Sequence, residues 1–144
     1  EDQSSIHATN MIVRNNFITR TPESGIVTDY TQDCQIANNT IFDPKNRMQR
    51  LIRIVHDNAG LLVANNLLCG PGMSVETEDK VSFKNNLIGD YTAYLQNPEQ
   101  GDLHLRSNAK KVIDQGVMIK TVQKDIDQQK RKKPIDIGAD EWKP

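Results

Sequence analysis

The chain repeats a pair of adjacent asparagines four times, each time flanked by apolar residues at the same spacing. The copies begin at Val13, Ile36, Val63 and Phe83, which places them 23, 27 and 20 residues apart. Recurrence at intervals of about 20–50 residues is typical of solenoids, in which each repeat forms one turn of a stack. This feature constrains the fold more than any other, because repeats of this kind bury their apolar side chains against neighbouring turns.

Asparagine suits a position that recurs in every turn of a stack. Equivalent residues of successive turns lie about 4.8 Å apart, so a stacked asparagine can pass a side-chain hydrogen bond to the next one. Asparagine also tolerates the left-handed backbone of a tight bend. We therefore predict that one asparagine of each pair forms the bend and the other joins an inward ladder. The predicted ladder is Asn16, Asn39, Asn66 and Asn86, beside an aliphatic stack of Ile18, Ile41, Leu68 and Ile88.

Short strands with alternating apolar residues surround each asparagine pair. In the second copy they are residues 25–28, 34–37 and 40–42, separated by polar bends. Three strands per turn predict an all-β fold, a right-handed parallel β-helix of about five turns. Its first turn is expected to begin with a strand at residues 5–8 and its fifth with a strand at residues 92–95. A leucine-rich repeat needs a Leu-x-x-Leu-x-Leu motif and near-constant repeat length, and the chain has neither.

The organisation changes after residue 100. We predict one domain, with β-helix turns in residues 1–100 and a closing strand and C-terminal cap in residues 101–144, because a solenoid needs a cap where its core meets water. His104 is expected in the closing strand and a final strand in residues 134–142, while the basic run of residues 130–133 is expected to be a solvated loop. Residues 1–4 are too short and polar to form a cap, so the first turn is expected to pack on upstream turns or a partner chain.

Composition limits the function classes. The formal net charge of −1 gives no indication of a nucleic-acid partner, and no apolar run approaches the ~18 residues of a membrane span. The strand phase directs Cys34 inward and Cys69 outward, so we expect two free thiols. The chain has no CxxC motif and no His/Cys cluster, so a zinc site is not expected.

The asparagine turns resemble those of the pectate-lyase-like right-handed β-helix superfamily. Residues 36–68, and the ending from 101–105 through 125–127 to 136–141, are similar to C-terminal portions of secreted bacterial β-helix proteins of the alginate lyase and chondroitinase B type. The resemblance implies the C-terminal part of a polysaccharide lyase that acts on an acidic glycan and is secreted, periplasmic or on the cell surface. It assigns no catalytic residue, because the catalytic Lys and Arg motifs of that family have no match here.

Candidate site residues come from the outward face of the first strands, where related enzymes bind substrate, and from the bends that follow these strands. The inward row is expected to be Ile6, Ile26, Ile52 or Ile54, Met73 and Ala93, and the outward row His7, Val27, Arg53, Ser74 and Tyr94. Elimination from a uronate needs a cation to neutralise the carboxylate and a base to remove the neighbouring proton. The candidates are Arg53, His7 and His56 for catalysis, and Ser74, Tyr94 and Glu76 for substrate binding. Possible calcium ligands are Asp29, Asp57, Glu76 and Asp79. The alternative is a non-catalytic glycan-binding or structural β-helix module of a larger surface protein.

Overall fold

Three four-stranded parallel sheets form the body of the molecule in the computed structural model, which describes residues 6–144. Sheet A contains β1 (Ala8–Thr9), β4 (Ser24–Gln32), β7 (Arg50–Ala59) and β10 (Met73–Glu76). Sheet B contains β2 (Ile12–Arg14), β5 (Gln35–Ala37), β8 (Leu62–Ala64) and β11 (Ser82–Lys84). Sheet C contains β3 (Phe17–Thr19), β6 (Thr40–Phe42), β9 (Leu67–Cys69) and β12 (Leu87–Ile88). One strand from each sheet makes one turn, so the predicted all-β parallel solenoid is confirmed.

The solenoid has four turns, and the predicted fifth turn is replaced by a hairpin. Thr92–Tyr94 forms a 3-10 helix, and Leu95–Asn97 (β13) pairs antiparallel with Asp102–Leu105 (β14) across a second 3-10 helix, Pro98–Gln100. Leu95 is fully buried against the outer side of sheet C, and this contact draws the segment away from the stack. Alternating apolar residues are compatible with a hairpin strand as well as with a solenoid strand, so the sequence pattern does not distinguish the two.

The second asparagines of the four pairs form the predicted inward ladder. The Asn16 amide donates to Asn39 Oδ1 at 2.8 Å, and the Asn39 amide donates to Asn66 Oδ1 at 3.0 Å. The Asn66 amide donates to Asn86 Oδ1 at 2.9 Å. Each accepting Oδ1 also receives the backbone N–H of the asparagine in the preceding turn, at 3.0–3.2 Å. The aliphatic stack beside the ladder is in register as predicted and comprises Ile18, Ile41, Leu68 and Ile88.

The first asparagine of each pair forms the bend and also binds the tail, residues 101–144. Asn15, Asn38, Asn65 and Asn85 have φ values between 49° and 54°, in the left-handed region. Their side-chain amides donate to tail carbonyls at 2.7–3.1 Å: Asn15 to Lys124, Asn38 to Gly138, Asn65 to Val117 and Asn85 to Gln115. Because these bonds reach every turn, the tail runs along the side of the whole solenoid.

The tail covers the outer faces of sheets B and C. Three outward side chains of sheet C, Phe42, Leu67 and Cys69, belong to a second core that is separate from the solenoid interior. The other side of this core is formed by β13 and the tail, through Leu95, Leu103, Leu105, Ala109, Val112 and Ile137. On sheet B, the outward Ala37 and Ala64 pack against Ile119 and Val122. Among residues 6–144, no segment of the tail covers the outward side chains of sheet A in this way, and Val27 is 53% exposed.

We expected the tail to cap the end of the solenoid, but its contacts lie along the side. Val75, Phe83 and Ile88, the inward residues of the last turn, are 44–48% exposed because no further turn stacks on them. Residues 134–142 form no strand, and Ile135 makes only an isolated bridge to Gly116. The predicted closing strand that contains His104 is confirmed as β14.

Arg131 contradicts the prediction of a solvated basic loop. Its side chain is fully buried, and its Nη1 pairs with Glu141 Oε2 at 3.1 Å. Its Nη2 donates to the carbonyls of Gly138 and Ala139 at 2.9 and 3.0 Å, and to Asn15 Oδ1 at 3.0 Å. The guanidinium therefore joins the tail to the first turn, whereas the neighbouring lysines of the basic run are exposed. Composition alone could not reveal partners that lie 7 to 116 residues away.

Both cysteines are free and buried on opposite sides of the sheets. Cys34 belongs to the solenoid interior, and Cys69 belongs to the core between sheet C and the tail. The predicted inward and outward directions are confirmed, although Cys69 is shielded by the tail.

Candidate functional site

The outward face of sheet A keeps most of the predicted row together. Arg53 pairs in register with Val27 on one side and with Ser74 on the other. In the next outward row, Val55 lies between Asp29 and Glu76. The inward positions alternate with these rows, and Ile52 rather than Ile54 is the residue that aligns with Ile26 and Met73. Strand alternation thus places Arg53 and Ser74 on one exposed face, as predicted, and Glu76, which was expected in the following bend, joins them as the last residue of β10.

Two residues of the predicted row lie elsewhere. His7 precedes β1, which pairs with the far end of β4 through Ala8 and Thr31, so His7 lies beside Tyr30 and not beside Val27. Tyr94 belongs to the 3-10 helix and stacks on Tyr91, with ring centroids 5.5 Å apart, next to the core outside sheet C.

The same errors affect the predicted inward row and the first strand. Ile6 is 53% exposed, and Ala93 lies in the 3-10 helix. Of the strand predicted at residues 5–8, only Ala8 belongs to β1, and Ser5 lies outside the described residues together with residues 1–4.

A column of three aromatic rings crosses the bend in sheet A, and its central member, Tyr30, is not among the predicted site residues. Tyr30 stacks nearly parallel on His56, with centroids 4.9 Å apart and an 11° angle between ring planes. His7 meets Tyr30 edge to face at 5.1 Å. Tyr30 and His56 both have left-handed φ values, 49° and 52°, which is uncommon for such residues and is often associated with function. Alignment of the polar bends, and not only of the strands, would have placed Tyr30 beside His56.

His56 has the geometry of an oriented imidazole. Its Nδ1 lies 2.7 Å from Asp29 Oδ1, and this carboxylate acceptor favours the tautomer in which Nδ1 carries the proton. The other ring nitrogen, Nε2, makes no hydrogen bond within residues 6–144 and carries the free lone pair. The side chain is 59% exposed, so this nitrogen is accessible to a ligand. A neutral imidazole of this kind can accept a proton.

Arg53 is held by a two-point ion pair with Glu76. Its Nε lies 3.0 Å from Oε1 and its Nη2 3.2 Å from Oε2, while Ser74 Oγ donates to Oε1 at 3.1 Å. The hydrogen bond from Arg53, followed by that from Ser74, lowers the pKa of Glu76 below its usual value, and the same bond raises the pKa of Arg53. Nη1 of Arg53 makes no hydrogen bond to any described residue, so one edge of the guanidinium is available.

These side chains line a shallow depression on the face of sheet A. Its lining is Val27, Asp29, Arg53, Val55, His56 and Glu76. A second depression lies across the bend and is lined by Ile6, Tyr30, Thr31, Gln32, Asp57, Ala59 and Asp79. The aromatic column stands between the two. The arrangement offers a cation, a proton acceptor and ring surfaces along one exposed groove.

The proposed calcium ligands do not converge. Asp29 bonds to His56, Glu76 bonds to Arg53, and Asp79 accepts the backbone N–H of Asn58 at 2.5 Å. Within residues 6–144, the group of metal-ligating side chains that does converge lies in the tail, and none of these acids belongs to it.

Comparison of this chain with protein-family models, with curated protein sequences and with solved structures finds no match. No helix in the described part of the chain is long and apolar enough to cross a membrane.

Proposed function

We propose that the outward face of sheet A binds an acidic polysaccharide and cleaves it by β-elimination. The observation that carries the proposal is the Asp29–His56 pair in the same depression as Arg53. Elimination from a uronate removes the proton next to the carboxylate and expels the oxygen across the adjacent bond. It therefore needs a base and a positive charge within reach of one sugar unit.

Each group has a defined task in this reaction. His56 Nε2 takes the proton, the bond to the leaving sugar oxygen breaks as the carbon–carbon double bond forms, and the imidazolium returns the proton to that oxygen. Asp29 holds the imidazole in the correct tautomer and stabilises the imidazolium that forms. The free edge of Arg53 pairs with the uronate carboxylate, whose negative charge would otherwise oppose proton removal. The outer edge of the column of His7, Tyr30 and His56 provides an apolar surface against which neighbouring sugar units pack. The hydroxyl of Ser74 keeps Glu76 in place through its hydrogen bond, and it contacts only the edge of the bound substrate.

The Arg53–Glu76 pair also favours a second candidate, a non-catalytic glycan-binding or structural module. Two guanidinium nitrogens are already occupied by Glu76, so a uronate must use the remaining edge or displace a carboxylate. Such a site can bind an acidic chain weakly without positioning it for proton transfer. Binding without product formation would select this candidate.

The proposal also covers the setting of the protein. A groove for polysaccharide fits a secreted, periplasmic or cell-surface location, as the family resemblance implies. Met11 of the first turn is 54% exposed and lines an apolar depression with Ala8, Val13 and Cys34, which supports packing of this turn on further turns or on a partner chain.

The test uses alginate, pectate and chondroitin as substrates. Cleavage by elimination creates an unsaturated uronate, which is followed by its ultraviolet absorbance. His56→Asn and Arg53→Ala should each reduce the rate at least about 100-fold, the usual scale for a general base or a charge-stabilising group. Arg50→Ala is the matched control, because Arg50 lies on the same strand outside the groove lining and its side chain bonds only the adjacent Gln49 carbonyl.

Each result has a defined meaning. Loss of activity in His56→Asn and Arg53→Ala, with the control unchanged, supports the mechanism. Equal activity in His56→Asn and the wild type would refute the assigned base. Glycan binding by the wild-type protein without absorbance change on any substrate would establish the non-catalytic module.

A further inference from the structure

Three side chains of the tail bring their metal-ligating atoms together. This site is separate from the groove on sheet A and has no part in the proposed glycan reaction. His104 lies in β14, Asp127 in the turn after residue 124, and Asp140 in the last segment of the tail. One ligand atom from each lies within 4.8 Å of the other two, and His104 Nε2 is 3.0 Å from Asp127 Oδ2. The group could not be predicted from the sequence, because its members are 23 and 13 residues apart.

A fourth carboxylate orients the imidazole toward the other two acids. Asp102 Oδ1 lies 2.6 Å from His104 Nδ1 and also accepts the His104 backbone N–H at 3.2 Å. Asp102 thus accepts the Nδ1 proton and leaves Nε2 as the ligand nitrogen. Carboxylate–histidine pairs of this kind accompany most metal-bound histidines, because the second hydrogen bond fixes the tautomer and the ring orientation.

Asp140 is a buried carboxylate with one oxygen uncommitted. It is only 6% exposed, and its Oδ2 accepts the Leu105 N–H at 2.7 Å. Its Oδ1 receives no hydrogen bond from residues 6–144. A carboxylate is buried at a high cost unless its charge is paired, so a cation bound at this oxygen would offset part of that cost.

The charges around the imidazole do not balance. Asp102, Asp127 and Asp140 supply three carboxylates, and one imidazolium would neutralise only one of them. Within the described chain, Asp102 and Asp127 form ion pairs with His104, and none of the three carboxylates pairs with a lysine or arginine. A divalent cation would supply the missing positive charge.

We propose that His104, Asp127 and Asp140 bind a divalent transition metal of the zinc class, which ties the β13–β14 hairpin to the tail. One imidazole nitrogen with two carboxylate oxygens suits zinc better than calcium or magnesium, which take oxygen ligands almost alone. Tetrahedral zinc ligands lie about 3.3–3.5 Å apart, given bond lengths of about 2.0–2.2 Å. His104 Nε2 and Asp127 Oδ2, 3.0 Å apart, need to separate by only a few tenths of an ångström, whereas a spacing of up to 4.8 Å within the group must shorten by about 1.3–1.5 Å when the metal binds.

The site stabilises the attachment of the tail and leaves the fourth coordination position to water. Asp140 adjoins Glu141, the partner of Arg131, so the metal and the buried guanidinium act on the same segment. This role is independent of the glycan groove, and it holds whether or not the groove is catalytic.

The experiment titrates metal-free full-length protein with zinc chloride in a calorimeter and measures the melting temperature with and without zinc. We expect one zinc per chain, and a rise in melting temperature of about 5–10 °C when free zinc is 100 times the dissociation constant. Asp127→Asn should weaken binding at least about tenfold. Asp102→Asn should weaken it about 10–100-fold, although Asp102 does not touch the metal.

Controls separate this site from adventitious binding. Asp114→Asn replaces another exposed tail aspartate, which is not a member of the group, and should leave the zinc affinity unchanged. Asp127 is exposed and its side chain bonds only His104 and Gln129, so Asp127→Asn is expected to fold even if His104→Asn does not. Calcium chloride should produce no saturable heat. The proposal is overturned if wild-type protein binds no zinc, if Asp127→Asn binds as tightly as wild type, or if calcium competes for the site.

Discussion

Removal of the Asn66 side chain should destabilise the protein more than the same change at Asn16, although both belong to one ladder. Asn66 is fully buried and makes side-chain bonds in both directions along the stack. Asn16 is exposed in the first turn and makes them in one direction only. Asn66→Ala and Asn16→Ala therefore delete the same atoms from sites with different numbers of dependent partners.

The structure sets the size of the difference. In Asn66→Ala the buried Asn39 N–H loses its acceptor at 3.0 Å, and the Ile36 carbonyl loses a donor at 3.0 Å. The Asn39 amide keeps the carbonyls of Val13 and Ala37, so two groups are left short of partners. At about 1–3 kcal/mol for each buried unsatisfied group, the free energy of unfolding should fall by about 2–6 kcal/mol.

Asn16→Ala has a milder outcome. Asn39 Oδ1 still accepts the Asn16 backbone N–H at 3.2 Å, and the carbonyl of the exposed Arg14 can bind water. Loss of two partly exposed hydrogen bonds should cost about 0.5–1.5 kcal/mol.

Urea unfolding measures both values, provided that the dependence on urea concentration has the same slope in each variant. Asn97→Ala is the control, because Asn97 is exposed and its side chain makes no hydrogen bond within residues 6–144; its effect should stay within about 0.5 kcal/mol. Equal losses for Asn66→Ala and Asn16→Ala, or a larger loss for Asn16→Ala, would refute the idea that buried partners determine the cost.

Three further predictions follow from individual side chains. Burial raises the pKa of Asp136 to about 6, so its ionisation opposes folding. The stability of wild type relative to Asp136→Asn should therefore fall by about 1–3 kcal/mol as the pH rises from about 4 to about 7. A stability difference that is constant with pH would exclude the raised pKa. Burial raises the pKa of Cys69 to about 12, and Cys34 is 5% exposed, so a thiol reagent should modify neither cysteine in native protein and both after denaturation without reductant. Glu76→Gln weakens the pair that occupies Arg53 and should increase affinity for an acidic glycan about two- to fivefold in equilibrium binding, whereas a decrease would show that Glu76 itself binds the ligand.

The sequence was sufficient for the solenoid because stacking imposes a strict geometry on every turn. A residue that points inward in one turn must point inward in the next, so the asparagine pairs set the phase of sheets B and C. The register of Arg53 with Val27 and Ser74 follows from the same rule. These predictions depend on local alternation and on a repeat, and both can be read directly from the order of residues.

The errors arise where the order of residues leaves more than one three-dimensional solution. The alternation around Leu95 does not specify which core buries it, so the hairpin was taken for a fifth turn. The position of His7 depends on the register of a two-residue strand, which too few side chains determine. Arg131 is buried by partners brought close only by the folded tail, and Tyr30 lies in a bend that we treated as a connecting loop. Each case depends on tertiary contacts, which composition does not encode.

The outward faces of the three sheets have different roles, and this difference explains why the candidate site lies on sheet A. Sheets B and C use their outward side chains to bury the tail, and the bend asparagines between these two sheets are committed to tail carbonyls. A change at an outward position such as Leu67 would therefore disturb a packed core. On sheet A, by contrast, Val27, Arg53 and Glu76 are exposed and take no part in the ladder or in the cores. Substitutions there should cost little stability, so the residue types at these positions are free to be determined by a ligand.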